Sequence, residues 1–252
     1  MSLPAFVYDL DTVLAGGRPV LPENSGVLDG AEGKHAATVK RLAVGEQLLL
    51  IDGHGSGIEC TVADVAKGSL RFTVDRRVEF PQRAPVTIVQ AIPKSERSEL
   101  AVDLMTQGGV DVIVPWQSER TIAKWGAKAE KAAAKWRSMA VSAAKQSRRM
   151  VIPQITAPAD TRGVADLVAE LTSRGGLAVL LHEAAAVPVT SLEFGDREVM
   201  FVVGPEGGLS PAELAQLQEA GAVTALLGPE VLRTASAGLV ALAAHGALAR
   251  WR

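Results

Sequence analysis

Val203-Gly204-Pro205-Glu206-Gly207-Gly208-Leu209-Ser210-Pro211-Ala212-Glu213 runs from an apolar strand through a glycine-rich turn into a strongly signalled helix start. The strand, Val199-Met200-Phe201-Val202-Val203, is β-branched and aromatic, the composition of a buried strand. The glycines after it take positive φ without steric penalty and let a ligand approach the backbone. Ser210, Pro211 and Glu213 read as the N-cap, the N1 proline and the N3 glutamate of a capping box. A strand, a glycine turn and a helix in that order put the turn at the carboxyl end of a sheet, where open α/β folds bind ligands. The spacing excludes the dinucleotide fingerprint, which needs a further glycine, and the phosphate loop, which ends in Gly-Lys-Ser/Thr. A small anionic or zwitterionic ligand suits such a turn, and a plain tight strand-helix connection suits it equally well.

Two more segments have the same form. Ala225-Leu226-Leu227-Gly228-Pro229-Glu230-Val231-Leu232-Arg233-Thr234-Ala235-Ser236-Ala237 leaves a strand through a glycine turn and enters an Ala-rich helix, and Leu180-Leu181-His182-Glu183 closes a strand at 177–181. Three such strand ends imply a composite pocket. Around them the chain divides near residues 78–85. Before that point, short alternating runs at 47–51, 58–65 and 70–74, separated by glycine-containing turns, predict a small β-barrel or sandwich over residues 1–80. After it, strands are expected at 85–92, 110–114, 151–155, 177–181, 199–203 and 223–227. Helices are expected at 95–107, 126–147, 161–174, 211–220 and 235–250, which makes residues 81–252 an α/β domain with a parallel sheet.

Composition narrows the class. A chain of 252 residues, 48% apolar and 21% charged, buries one large core or two modest ones. The single Cys60 excludes a disulfide framework, and four scattered histidines leave no metal-ligand spacing, so no metal is expected. With no basic-then-apolar leader and no apolar run near the roughly twenty residues of a membrane span, the expectation is a cytoplasmic protein with no membrane partner. The net charge of −2 argues mildly against nucleic acid, but distribution matters more than the sum. Between Trp116 and Arg149 lie nine basic residues and two acidic ones, a local charge of +7 that leaves −9 on the rest of the chain. A cationic face of this kind attracts a phosphate backbone, although it also describes an ordinary solvated helix. Trp116, Trp125 and Trp136 lie among these charges as base-stacking platforms or, for at least two of them, as anchors in the core.

The three loop segments resemble the cofactor-binding loops of the SPOUT superfamily of S-adenosylmethionine-dependent RNA methyltransferases. Gly-Pro-Glu-Gly-Gly at 204–208 followed by Leu-Gly-x-x-x-Leu-Arg-Thr at 227–234 is similar to the 16S rRNA uridine-N3 methyltransferase family in particular. The similarity extends through Ala91 to Glu99, Ile113-Val114-Pro115, Ser118-Glu119-Arg120, Ala143 to Arg149, Ile152-Pro153, His35 and Arg41, in order and over nearly the whole chain. It implies a C-terminal trefoil-knotted SPOUT domain, a homodimer through that domain and an N-terminal PUA-like barrel that binds RNA. It further implies that Leu181, Gly204, Gly208, Leu227, Gly228, Val231 and Leu232 hold S-adenosylmethionine, and that 16S rRNA of the small ribosomal subunit is the substrate.

Methylating uridine N3 requires loss of the imide proton and stabilisation of negative charge on the ring, so catalysis rests on positioning and electrostatics. Arg233 is the candidate for orienting or stabilising the uracil, because it follows a cofactor loop and stays charged. Glu206 is either a proton acceptor or an acceptor of backbone hydrogen bonds that shapes its loop. Arg41, Lys94, Arg97, Arg120, Arg148 and Arg149 are the candidate RNA-binding residues, with an Arg97 ion pair to Glu99 or Asp103 as the plain alternative. The chain departs from the family where an acidic residue and a threonine are Ala235 and Ser236, which rules out a general base there, and at Leu104 and Gln107. A ribose 2′-hydroxyl methyltransferase of the same superfamily is disfavoured, since those enzymes carry functional asparagines and Asn24 is the sole asparagine here. A non-catalytic ribosome-associated RNA-binding protein is the other alternative, at odds with the intact glycine turns.

Overall fold

The structure, a computed structural model, describes residues 3–15, 18–19 and 24–251. The chain forms two compact units: Met1–Gln82 joined by Ala144–Ile152, and Arg83–Ala143 joined by Pro153–Arg252.

The first unit contains β1 (Ala5–Val7), the short hairpin of β2 (Leu14–Ala15) and β3 (Arg18–Pro19), and β4 (Ser25–Leu28). Then come α1 (Gly30–Lys34), a π-helical turn over His35–Val39, β5 (Gln47–Ile51), β6 (Ser56–Ala66) and β7 (Ser69–Glu79). One sheet runs in the order β1-β5-β6-β7-β4, with β1 parallel to β5 and the other pairs antiparallel. Register shifts between Glu59 and Cys60 and between Val62 and Asp64 bend the long strands over a core that includes Phe6, Leu28, Leu50, Ile58 and Phe72. Cys60 lies in that core, where burial pushes its thiol far above the ordinary range and leaves it an inert apolar side chain. β6 and β7 outrun the runs expected at 58–65 and 70–74. Polar pairs across their outer face extend the ladder: Thr61 donates to Asp75 at 2.8 Å, Ser56 to Glu79 at 2.8 Å, and Arg76 pairs with Glu59.

The second unit begins with β8 (Val86–Ala91), α2 (Ser95–Gly108), β9 (Val112–Trp116) and α3 (Ala129–Gln146), whose last residues pass into the first unit. It continues with β10 (Gln154–Ile155), α4 (Thr161–Ser173), β11 (Leu177–Leu181), β12 (Val199–Val203), α5 (Pro211–Glu219), β13 (Val223–Ala225) and α6 (Thr234–His245). The sheet order is β10-β9-β8-β12-β11-β13, and every pair is parallel. β12 is buried along its whole length, which is why it reads as an unbroken apolar run. On one face Val89, Ala91, Val202 and Leu180 pack against Val164, Val168 and Leu171 of α4 and Leu217 of α5. On the other, α6 crosses β12 and β8 and lies against α2. The two helices approach closely because a Cβ at Gly238 would stand 2.8 Å from Met105 Sδ and one at Gly108 2.9 Å from Leu239 Cδ1. Trp116 and Trp136 are core anchors, Trp136 donating to Ser98 Oγ at 2.8 Å with Trp125 edge-on against it, so neither buried ring is a stacking platform.

The strand expected at 151–155 is shortened to Gln154–Ile155. Val151 instead bridges to Gly53, and the Ile152 amide donates to the Gly53 carbonyl at 2.8 Å, within the first unit. Among the described residues no helix is long and apolar enough to cross a membrane.

The end of α6 carries a buried titratable group. His245 is 5% exposed, with the Phe194 ring 4.9 Å away, and its pKa is lowered to about 4 by burial and then by the Arg250 guanidinium, with Asp111 opposing. Above its unfolded pKa near 6.5 the imidazole is neutral folded or unfolded, so it imposes no pH dependence. Between pH 6.5 and 4 only the unfolded chain takes up the proton, and stability falls by roughly 3 kcal/mol. Urea denaturation across that window should show this loss, and a His245→Leu variant should flatten it.

Candidate functional site

Three carboxyl-terminal strand ends meet at one cavity. Loops after β11, β12 and β13 line a pocket of about 520 Å³, within the roughly 300–1,000 Å³ range of small-molecule sites. Leu181, Gly204, Gly208, Leu227, Gly228, Val231 and Leu232 all line it, and so do Glu206 and Arg233. The sequence brought these nine residues together only by motif, and the parallel sheet does so in space.

The glycine turn is shaped by its backbone. The Gly208 amide donates to the Pro205 carbonyl at 3.0 Å and Gly208 has φ +69°, a conformation that L side chains rarely adopt. A Cβ at Gly204 would meet Leu209 Cδ2 at 3.3 Å, so the turn packs as tightly as its composition allows. Among the described residues the exposed Glu206 carboxylate accepts no hydrogen bond.

Behind the turn stands a residue that the sequence marks only as a cap. Glu213 completes the capping box, Ser210 Oγ accepting from its amide at 3.2 Å and its Oε2 accepting from the Ser210 amide at 3.1 Å. Its Oε1 also accepts from the Glu119 amide at 2.9 Å and from Thr161 Oγ1 at 2.8 Å. At 4% exposure this carboxylate ties together α5, the start of α4 and the segment after β9. Nothing local in the sequence announces the two distant partners. From the next position, Arg120 Nη1 donates to the Gly207 carbonyl at 3.2 Å, so this candidate RNA residue touches the pocket turn.

The opposite wall is the start of α6. Arg233 is its N-cap residue and its carbonyl accepts from the amides of Ser236 and Ala237, while no side chain caps the helix. The positive end of the helix dipole therefore faces the cavity at Thr234. Ala235, where the resemblance implies an acid in the family, is buried against the core. The Arg233 guanidinium is exposed and has no described hydrogen-bond or ion-pair partner. His182 also lines the pocket, and its Nδ1 accepts from the Ala184 amide at 3.1 Å, which leaves the ring proton of the neutral form on Nε2.

The remaining basic candidates lie elsewhere. Lys94 is the exposed N-cap residue of α2. Arg97 follows one turn later without the ion pair that was the plain alternative for it, since Glu99 meets Lys135 at 3.6 Å and Asp103 accepts from Gln107 at 2.9 Å. Arg41, Arg148 and Arg149 belong to the first unit.

Comparison with known proteins places this geometry. Residues 80–246 match the RNA methyltransferase domain model, and residues 28–75 match the RNA methyltransferase PUA domain model. A methyltransferase of Legionella pneumophila, solved in complex with S-adenosylmethionine, superposes with a TM-score of 0.82 at 25% identity over 99% of each chain. The fold and pocket thus define an RNA methyltransferase of the SPOUT type with a PUA-like N-terminal domain. The ribosomal RNA small subunit methyltransferase E of Mycobacterium bovis is 47% identical over 89% of this chain and 87% of its own. That of Bacillus subtilis is 29% identical over 86% and 88%. The chain belongs to the ribosomal RNA small subunit methyltransferase E family.

The Glu213 carboxylate gives a direct stability test. Glu213→Ala strands the Ser210 and Glu119 amides and the Thr161 hydroxyl, and should lower unfolding free energy by about 3 kcal/mol in chemical denaturation. Glu213→Gln, which keeps an acceptor, should lose less.

Proposed function

We propose that this chain transfers the methyl group of S-adenosylmethionine to N3 of a uridine in 16S rRNA, and that it does so as a homodimer joined through a knotted C-terminal domain. S-adenosylmethionine is the cofactor, and the observation that carries the reading is the convergence of nine motif residues on one cavity. The lining fits that molecule: apolar Leu181, Leu227, Val231 and Leu232 suit the adenine, and the glycine turns expose backbone donors and acceptors to its polar groups. When bound, the cofactor supplies an electrophilic sulfonium methyl.

The protein's part is to bind, orient and compensate charge. Losing the imide proton places negative charge on the uracil ring, and Arg233 supplies a permanent positive charge from the pocket rim. Glu206, exposed and without a described partner, is one of the carboxylates in the same loop set, with Glu183 and Glu230, and is the one proposed to take that proton. The uncapped start of α6 adds a fixed partial positive charge beside Arg233. Val231, apolar and 81% exposed on the pocket loop, supports the dimer, because an apolar loop of this kind gains from a covering surface. Arg120 is a proposed phosphate contact beside the pocket turn, Lys94 and Arg97 are proposed contacts at the start of α2, and Arg41, Arg148 and Arg149 are proposed contacts on the N-terminal unit.

Labelled methyl transfer to small ribosomal subunits lacking the modification, followed by nucleoside mass spectrometry, tests the reading. N3-methyluridine is the expected product. A ribose-methylated product would reassign the target, and cofactor binding without any transfer would favour an RNA-binding role. Arg233→Ala should lower kcat by about 10²–10³-fold while cofactor Kd changes by less than about threefold. Equal losses in both would move Arg233 from the reacting base to the cofactor.

A further inference from the structure

Gln90 is fully buried near the carboxyl end of β8, among the apolar Val86, Ile88, Val89 and Ala91. It lies in register with Val203 of β12, the residue before Gly204, and with Pro115 of β9. Its Nε2 donates to the Ala91 carbonyl at 2.9 Å and to the Thr234 carbonyl at 3.3 Å. Two carbonyl oxygens around the nitrogen fix the orientation of the amide, because the reversed group would set its oxygen against both acceptors. Oε1 is then buried and, among the described residues, has no donor.

This arrangement is a poor way to stabilise a core. A buried acceptor without a donor costs free energy, and an apolar side chain of the same length fills the space without that penalty. The Thr234 carbonyl does not depend on Gln90 either, since helix geometry supplies it with the amide one turn further along α6. What Gln90 adds is a directed contact between the sheet and one wall of the cavity. Thr234 lines that cavity and directly follows Arg233. No side chain caps α6, and among the described residues the hydrogen bond from Gln90 is the one that ties its first turn to the sheet. Gly238, one turn on, lets the helix settle there: a Cβ would stand 2.8 Å from Met105 Sδ and 3.5 Å from Gln90 Oε1. The loop before Arg233 has a separate anchor. The Leu226 amide donates to the Val187 carbonyl at 2.8 Å and the Val189 amide to the Leu226 carbonyl at 2.8 Å, so the neighbouring Leu227 and Gly228 are held without Gln90.

We propose that Gln90 is a positioning residue for methyl transfer: by holding the Thr234 carbonyl it fixes the start of α6, and with it the direction from which Arg233 reaches the reacting base. This rests on the reading of Arg233 as the charge that compensates the uracil ring. A guanidinium at the end of a long side chain is displaced by a small rotation of the backbone beneath it, and a misplacement of about 1 Å lowers a rate by as much as about 10²-fold. Because the cofactor loop is anchored separately, loss of the Gln90 amide costs turnover and spares cofactor binding.

Gln90→Met keeps the length of the side chain and removes both donors. Its unfolding midpoint should be unchanged or raised. Amide hydrogen exchange should quicken in the first turn of α6, at Ser236 and Ala237, while later turns stay protected. For methyl transfer to small ribosomal subunits, kcat should fall about ten- to hundredfold with the cofactor Kd within about threefold of wild type. In an Arg233→Ala background the same substitution should lower kcat by less than about twofold, because Gln90 acts through Arg233. Gln90→Leu, a second variant without donors, should repeat the pattern. Losses that multiply in the double variant, kcat and cofactor affinity falling together, a lowered midpoint in both donor-free variants, or wild-type exchange and turnover would each overturn the proposal. A wild-type chain that binds S-adenosylmethionine but methylates no uridine would overturn the functional reading instead, and the exchange experiment would still decide whether Gln90 holds α6.

Discussion

A single buried carboxylate organises the catalytic unit. Glu213 accepts from Ser210, Glu119 and Thr161, which belong to three different segments, and at 4% exposure it has little water to fall back on. An ionised carboxylate taken out of water is tolerated only when donors replace its hydration shell. Satisfying that requirement forces the α5 start, the α4 start and the segment after β9 into one arrangement. The glycine turn between β12 and α5 is then held at its back by the capping box and at its side by Arg120, whose guanidinium donates to Gly207. A pocket floored by backbone is only as well defined as the elements that support it, and here both carboxylate oxygens of Glu213 accept hydrogen bonds from those elements.

Charge is divided between anchoring and recognition. The excess of cations between Trp116 and Arg149 suggests one uniform basic face, but the structure separates these residues by function. Lys145 is spent on Glu32, Arg137 pairs with Glu130 and Lys135 with Glu99. Arg120 serves the pocket loop, whereas Arg148 belongs with the N-terminal unit. A long helix thus passes from the catalytic unit to the other, and the charges along it act in different places. Arg250 is used in the same structural way, its guanidinium donating to Asp111 at 2.7 Å and to the Gly109 carbonyl at 2.9 Å, which closes the C-terminus onto the sheet.

Much of the architecture was legible because it depends on local signals. The buried strands at 177–181 and 199–203 appear where the apolar runs predict them, and α5 starts at its capping residue Ser210. The loop residues of the pocket were legible by resemblance, and they do line one cavity. Less legible was anything that depended on a distant partner. The 151–155 run looked like one strand, yet Val151 and Ile152 bond to Gly53 and leave only two residues for the large sheet. Arg97 looked ready to pair with Glu99 or Asp103, but Lys135 and Gln107 take those carboxylates first.

By itself the sequence determined the strand and helix alternation, the glycine turns, the helix caps and the family, because each is written in residues adjacent along the chain and governed by backbone sterics or periodic burial. Only the tertiary structure decided that Glu213 holds three segments, that Ala235 faces the core and that residues 144–152 return to the N-terminal unit. Those outcomes depend on competition among buried polar groups for partners far away in sequence, and a local pattern carries no information about which partner wins.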